Sequence, residues 1–424
     1  MHYKIATYGC QMNKSDSERL ERVLGGMKLK KTNQLELADI FVVVACSVRQ
    51  SAIDRIFGQV QKVKKLKKKN KKLITILTGC LLDSDKKKMA KKFDYILNIK
   101  RIGELKEILK GNDRMSLGVS GIEYFQINPQ YQSKYQAFIP IMTGCDNFCS
   151  YCVVPYVRGR EVSRSVEEIE KEMKALVKSG CRDITLLGQN VNSYQFQKTD
   201  FIKLLKRLDK ITGDYWLRFL TNHPKDMSEE LLMVMKKSKH LVHYIHLPIQ
   251  SGNDQILKKM NRNYTQKQYL NLIKKMRKVL PGVAISTDVI VGFPTETRKQ
   301  FLETVKVLEE AEYGMAYINK YSSRWGTKAF KLKDNVNSKE KSRREKSLND
   351  QLKKYSLLNN QKLVGQVVKV LVEKSKSKDG QFEYFGHTDT LKSVKFLSLK
   401  KGLVGKFVGV KIIKAMEWGL RGEQ

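Results

Sequence analysis

Cys145-Asp-Asn-Phe-Cys149-Ser-Tyr-Cys152 sets three thiols on one tight loop, just past the apolar run Phe138 to Met142 that reads as a strand. A C-x3-C-x2-C triplet can ligate three irons of a [4Fe-4S] cube and leave the fourth iron open. The open iron is able to chelate the amino and carboxylate groups of S-adenosylmethionine (SAM), and one electron then breaks a sulfonium bond to give a 5'-deoxyadenosyl radical. The competing readings of this loop are a zinc site and three buried thiols. Structural zinc sites usually want four ligands in two close pairs, and no partner pair follows the loop.

Downstream of the loop, strand-like and helix-like runs alternate. Phe138 to Met142, Asp183 to Leu187, Trp216 to Leu220, Tyr244 to Leu247, Ala284 to Val291 and Met315 to Lys320 read as strands, each followed by a polar-faced helical stretch such as Val166 to Val177. Such a series predicts an open or partial (β/α)6 barrel, with its active site at the C-terminal ends of the strands. The charged stretch Ser338 to Gln361 predicts a helix leading out of it. From Gly365 the pattern changes to period two, over Val367 to Val372, Phe382 to Phe385, Val394 to Leu397 and Phe407 to Ile413, which predicts a small all-β barrel.

Upstream, Tyr3 to Tyr8, Ile40 to Ala45 and Leu73 to Leu77 are short apolar runs suited to a covered parallel sheet. Ile53, Ile56, Val60 and Val63 recur between two of them at helical spacing. A connector from Met115 to Lys134 separates this part from the next. The fold class expected is thus α/β with a small all-β tail: an N-terminal α/β domain over residues 1–115, a central barrel domain over 131–360 and a tail over 361–424.

Cys10, Cys46 and Cys80 each fall one to three residues past the end of one of the N-terminal strands. Those ends share one edge of a parallel sheet, so the three sulfurs can converge despite their distance in sequence, and they can hold a second cluster with an open iron. Cys181 has no triplet to join and reads as a packed free thiol. With seven cysteines and no secretory signal, a disulfide framework is not expected. No apolar run approaches membrane-spanning length, so the expectation is a cytoplasmic protein without a membrane partner.

The formal net charge is +38, from 81 Lys+Arg against 43 Asp+Glu. A polyanion is the natural partner, with RNA or DNA ahead of anionic lipid because no hydrophobic anchor accompanies the charge. A general lysine bias is the alternative, and clusters such as Lys62 to Lys72 are equally consistent with solvated helix faces.

With both triplets placed, the chain resembles the radical-SAM methylthiotransferases along essentially its whole length. The resemblance rests on Thr7-Tyr-Gly-Cys-Gln-Met-Asn13 with Asp16-Ser-Glu18, Cys149-Ser-Tyr-Cys-Val-Val-Pro-Tyr-Val-Arg-Gly-Arg-Glu161, Leu187-Gly-Gln-Asn-Val191, His246-Leu-Pro-Ile-Gln-Ser-Gly252 and Asp288-Val-Ile-Val-Gly-Phe-Pro-Thr-Glu296. The Gln-Met after Cys10 and the Val-Val-Pro-Tyr after Cys152 resemble the branch acting on isopentenylated tRNA adenosine. Sister branches act on threonylcarbamoyl-adenosine or on a ribosomal-protein aspartate. Val44-Ala45-Cys46 departs from the family's Asn-Thr-Cys, and Tyr321-Ser-Ser-Arg-Trp-Gly326 from its Tyr-Ser-Pro-Arg-Pro-Gly.

The resemblance implies two [4Fe-4S] clusters and SAM. The cluster on Cys145, Cys149 and Cys152 would generate the radical that abstracts hydrogen from C2 of the adenine next to the anticodon. The cluster on Cys10, Cys46 and Cys80 would carry the sulfur to be transferred. The partners implied are the tRNA anticodon stem-loop, a low-potential electron donor and a sulfur donor. The tail resembles the RNA-holding TRAM domain, and its 13 Lys+Arg against 6 Asp+Glu between Lys362 and Glu423 agree with phosphate contact. Strand-end residues of the barrel are the SAM-pocket candidates. Gly188 would allow close backbone approach, Gln189, Asn190, Gln250 and Ser251 offer neutral hydrogen-bonding groups, Asp288 can hold a hydroxyl, and Gly292 would open space beside the adenine or simply make a turn. Arg158 and Arg160 can meet a SAM carboxylate or an RNA phosphate. A non-catalytic RNA-binding zinc protein is the rival from another class.

Overall fold

In the computed structural model, which describes residues 1–48, 50–111, 121–378 and 381–424, the N-terminal part alternates strand and helix. The elements are β1 (His2–Thr7), α1 (Gln11–Gly26), β2 (Ile40–Cys46), α2 (Gln50–Lys69) and β3 (Ile74–Cys80). The three strands pair in parallel in that order, flanked by short edge strands at Lys30–Lys31 and Tyr95–Ile96. Every residue of β2 is buried because both faces are covered. Ile40, Val42 and Val44 face a core that includes Leu20, Leu24 and Tyr124, while Phe41, Val43 and Ala45 face Ile53, Ile56 and Val60. This two-sided burial is why the run reads as continuously apolar. The strands extend beyond the expected ends at Ala45 and Leu77: pairing continues through Val44 with Thr78 and Ala45 with Gly79 to Cys46 with Cys80. The two cysteines are therefore the last rungs of the ladder rather than loop residues.

Within the connector, residues 115–120 lie outside the described residues. Its later part forms a short helix, α3 (Gly121–Gln126), which seats the buried Tyr124 against α1.

The barrel follows, as β4 (Gln136–Pro140), α4 (Val154–Arg158), α5 (Val166–Lys178), β5 (Asp183–Leu187), β6 (Trp216–Phe219), β7 (Tyr244–His246), β8 (Ala284–Val291) and β9 (Met315–Lys320). All its neighbouring strands are parallel: β4, β5 and β6 form one sheet, β7, β8 and β9 another, and a bridge between Leu217 and Leu241 joins them. The curl stays open between β4 and β9. Helix α1 packs on β4, and the long helix α6 (Ser338–Gln361) packs along β9. The first strand lies two residues earlier than the run Phe138 to Met142 implies. Its pairing ends at Pro140 with a last bond from Ile141 N to the Leu187 carbonyl at 2.9 Å, and Met142–Thr143 pair antiparallel with Val162–Ser163 instead. Cys181 is buried in the barrel core, as a packed thiol should be.

The tail is a closed barrel of β10 (Val367–Lys378), β11 (Gln381–Thr388), β12 (Ser393–Ser398), β13 (Phe407–Met416) and β14 (Gly419–Glu423). The last strand is not evident in the sequence, because Gly-Leu-Arg-Gly-Glu alternates weakly and closes the barrel through its backbone. This tail sits under the N-terminal ends of the central strands. Trp216 meets Phe407 with ring centroids 4.5 Å apart, and Leu371 packs beside Tyr244.

A buried ionic latch pins the tail there. Arg218 Nε donates to Asp183 Oδ1 at 2.7 Å, His387 Nε2 lies 3.2 Å from Asp183 Oδ2, and His387 Nδ1 lies 3.3 Å from Glu373 Oε1. Burial works to raise the Asp183 carboxyl, but Arg218 and His387 hold it well below the usual carboxylate range. Burial likewise opposes the imidazolium of His387, and the bonds to Asp183 and Glu373 outweigh it, so the ring titrates at about 8 against an ordinary 6.5. A raised folded value means that the stabilisation is complete below about pH 6.5 and is lost as pH rises through about 8. The gain is about 2 kcal/mol. His387→Gln should therefore lower the melting temperature more at pH 6 than at pH 9. An equal loss at both, measured by calorimetry, would show that the latch is not ionic.

Candidate metal centres

The Cys145 loop leaves β4 at its C-terminal end and is clamped from several sides. Gly144 has φ +88°, and a Cβ there would stand 1.9 Å from the carbonyl oxygen of Arg160. Glycine is the residue that fits both the conformation and the approach. Cys145 N donates to the Gly159 carbonyl at 3.2 Å, Ser150 N to the Met260 carbonyl at 3.0 Å, and Asn261 Nδ2 lies 3.1 Å from the carbonyls of both Asn147 and Phe148. The sulfurs carry their own donors: Asn147 Nδ2 reaches Cys145 Sγ at 3.5 Å, and Arg262 Nη1 reaches Cys149 Sγ at 3.6 Å. Arg262 is buried, and its Nη2 is fixed by the Pro248 carbonyl at 2.7 Å. Burial first, then the neighbouring thiols, push the Cys152 thiol up to about 12.

The second triplet closes around Asn13, in the first turn of α1. Cys10 is the N-cap of that helix, while Cys46 and Cys80 end adjacent strands. Asn13 is fully buried: its Oδ1 accepts from Cys10 N at 3.2 Å, and its Nδ2 lies 3.8 Å from Cys80 Sγ. Arg158 Nε donates to Cys80 Sγ at 2.9 Å, and its Nη2 to Asp16 Oδ2 at 2.6 Å. Contact with Cys46 and burial both raise the Cys80 thiol, while burial and the closeness of Cys80 raise Cys10.

Both donor sets suit iron-sulfur clusters: three thiols each, mostly removed from water, with N–H donors aimed at the sulfurs. Among the described residues no three His, Cys, Asp or Glu side chains gather tightly enough to share a single metal ion.

The remaining sequence-derived residues fall at the strand ends in differing circumstances. Gln189 Oε1 accepts from Gly144 N at 2.5 Å and so braces the cysteine loop. Asn190 is buried, gives Nδ2 to Asp226 at 2.8 Å and leaves Oδ1 without a partner. Gln250 stands at φ +68° beside β8, and Ser251 is fully buried. Asp288 is partly open and lies 3.1 Å from His246 Nε2, and the His246 ring meets the half-exposed Tyr317 ring edge-on. The room a side chain would take at Gly188 is filled by Met142, and at Gly292 by the stem of Lys341. With φ +68°, Gly292 makes a turn rather than opening space.

Arg160 is exposed, pairing with Asp146 at 3.0 Å and lying over Phe148. Arg158 is only 3% exposed and engaged by Cys80 and Asp16, so it is not free to meet a SAM carboxylate or an RNA phosphate. Arg158, Arg262, Asn13, Asp16 and Tyr124 are the contributors that sequence reasoning does not assign. Asn13 and Asp16 stand in the Cys10 motif and Arg158 in the Cys149 motif, but nothing in the sequence links them to one another.

A curled parallel sheet with a C-x3-C-x2-C loop at its strand ends defines a radical SAM protein, and residues 139–308 match the radical SAM superfamily. Residues 2–99 match the uncharacterized protein family UPF0004, and residues 361–424 the TRAM domain. The chain is 41% identical to the tRNA-2-methylthio-N(6)-dimethylallyladenosine synthase of Clostridium tetani, over 99% of this chain and 95% of that protein. It is 39% identical to the synthase of the same name from Thermoanaerobacter sp. (strain X514), over 100% and 92%. The chain belongs to the family of these synthases, a branch of the radical SAM methylthiotransferases. Among solved structures, the radical SAM methyltransferase TsrM of Kitasatospora setae shares the fold, with a TM-score of 0.55 at 13% identity over 76% of this chain and 75% of that one.

The packing around Gly144 yields a direct test. Gly144→Ala should cost on the order of 1–3 kcal/mol through strain at positive φ and the collision with Arg160. Thermal melts and iron retention should both fall, and wild-type values for both would contradict the clamp.

Proposed function

We propose that this chain attaches a methylthio group to C2 of N6-isopentenyladenosine, the base next to the anticodon in tRNA, with two [4Fe-4S] clusters and SAM. The observation that carries this is the pairing of two cysteine triplets at the C-terminal edges of two parallel sheets, joined through Arg158. The full-length relatives, named for the dimethylallyl-adenosine product, support this branch over its sisters.

Cys145, Cys149 and Cys152 would hold the cluster that meets SAM, and Cys10, Cys46 and Cys80 the one that delivers sulfur. When bound, the reduced cluster with SAM supplies a carbon radical able to abstract hydrogen. The chain supplies the surroundings. Asn147 and Arg262 offer N–H groups to the loop sulfurs, and Gln189 braces Gly144. Gln250, Ser251 and Asn190, at the same strand ends, suit the ribose and adenine of SAM, and Asp288, oriented by His246, suits a hydroxyl. The tail closes the far end of the barrel against water, and α1 and α6 cover its edge strands.

RNA contact is supported by the outer part of the β10–β11 hairpin. Lys376 and Lys395 lie 5.7 and 5.6 Å from the Phe385 ring, and Lys401 5.9 Å from Phe382. Cations interleaved with aromatic rings suit phosphates and stacked bases. Lys395 is partly engaged by Glu383 at 2.8 Å. Lys376→Ala with Lys401→Ala should weaken tRNA binding and flatten its salt dependence, by roughly 0.7–0.9 in log–log slope for each phosphate that is no longer neutralised. An unchanged slope in filter-binding titrations would remove this face from the interface.

The division of labour is tested by replacing Cys10, Cys46 and Cys80 together with Ala. Anaerobically reconstituted wild type should hold about eight irons and the variant about four. Given reductant, SAM and isopentenylated tRNA, the variant should still release 5'-deoxyadenosine but form no methylthio-adenosine, as read by nucleoside mass spectrometry. A methylthio product from that variant would overturn the assignment.

A further inference from the structure

Arg158 reaches from the Cys145 loop's own helix into the other cysteine triplet. It ends α4, six residues beyond Cys152, and its guanidinium is buried between Asp16 and Cys80. Asp16 also accepts from Tyr124 Oη at 2.5 Å and from Asn13 Nδ2 at 3.3 Å, so its carboxylate is held from three directions. The fork is thereby fixed: Nη2 is taken by the carboxylate at 2.6 Å, and Nε has its line of approach to the sulfur at 2.9 Å. A lysine can place a charge there but not both bonds at once.

We propose that Arg158 is a positioning residue for the auxiliary cluster, holding its Cys80 ligand by a charge-assisted N–H···S bond and raising the cluster's reduction potential. This role rests on the presence of two clusters, as proposed for the function of the chain. The physical ground is that a cationic donor on a ligating sulfur draws charge off the thiolate and favours the more negative, reduced cluster. The bond to Asp16 partly offsets the cation's charge but leaves the N–H on the sulfur. The same guanidinium ties α4 to α1 and to β3, so the loop carrying Cys145, Cys149 and Cys152 and the sheet edge carrying the other triplet share one fixed point.

The experiment uses the full chain with Cys145, Cys149 and Cys152 replaced by Ala, so that only the auxiliary cluster remains, and follows reduction by EPR-monitored potentiometry. With Arg158 intact this parent should take up about four irons. No iron in the parent would overturn the two-cluster reading and the proposal with it. Adding Arg158→Gln should shift the reduction equilibrium at least tenfold against the reduced state, about 59 mV downward for one electron. Arg158→Lys should shift it in the same direction by less. A folded Arg158→Gln chain with four irons and the parent's potential would overturn the proposal. Where Arg158→Gln takes up no iron, Arg158→Lys decides: a downward shift supports the proposal, and the parent's potential overturns it. In the complementary chain with Cys10, Cys46 and Cys80 replaced, Arg158→Gln should leave the radical-loop cluster's potential unmoved. An equal shift there would mean a general loosening and would overturn the specific role.

Discussion

The guanidinium of Arg158 lies between a carboxylate and a thiol that both belong to the N-terminal domain, and the assembly of the site depends on that contact. Each partner is buried, Asp16 completely and Arg158 at 3% exposure. A charge in such surroundings is tolerated when it is paired and bonded, and removing one member of a buried pair typically costs about 3–5 kcal/mol. The two domains are thus held by an interaction that is expensive to break and little screened by salt, at the place where the two cysteine triplets approach each other. A surface ion pair would give neither the precision nor the permanence.

Parallel sheets make this arrangement possible. In both the N-terminal sheet and the barrel, all strands point the same way, so residues far apart in sequence arrive at one edge. Cys46 and Cys80 are register partners at the end of adjacent strands, and Cys10 caps the helix that follows the first. On the barrel side, the Cys145 loop, Gln189 and Gln250 follow the C-terminal ends of β4, β5 and β7, and Asp288 lies within β8. The helix α1 then lies against β4 and brings the two edges together, with Ser15 Oγ near the Phe138 carbonyl at 3.5 Å.

Much of this is legible in the sequence because it is carried by local patterns. The apolar runs give the bounds of Asp183–Leu187, Ala284–Val291 and Met315–Lys320, and the charged stretch gives the Ser338–Gln361 helix, because burial on a strand or helix face leaves a periodic trace. Spacing alone marks Cys145, Cys149 and Cys152 as one group, whereas Cys10, Cys46 and Cys80 are grouped by their places at strand ends. What escapes is non-local or backbone-borne. The strand Gly419–Glu423 has little side-chain signal, since its pairing is made by peptide groups. The roles of Arg158 and Arg262 are hidden because an arginine in a motif looks the same whether it will meet a phosphate or a buried thiol. Gly188 reads in sequence as a point of close backbone approach and Gly292 as either space or a turn, and only the fold shows that Met142 and Lys341 are what lie against them.

The placement of the tail constrains the substrate. His387, Phe407 and Leu371 meet the barrel at the N-terminal ends of its strands, whereas the cysteine loop and the SAM-pocket candidates lie at the C-terminal ends. A strand such as Met315–Lys320 separates the two faces by about 20 Å at the usual rise per residue. A free nucleoside cannot touch both. A partner that engages the basic hairpin of the tail while offering a base at the cysteine face has to be a macromolecule that runs along the side of the barrel. An RNA stem with an exposed loop meets this requirement, since the stem presents phosphates along its length and the loop presents unstacked bases at its end. The chain's positive charge spread over every domain, rather than concentrated in the tail, is what such an extended contact needs.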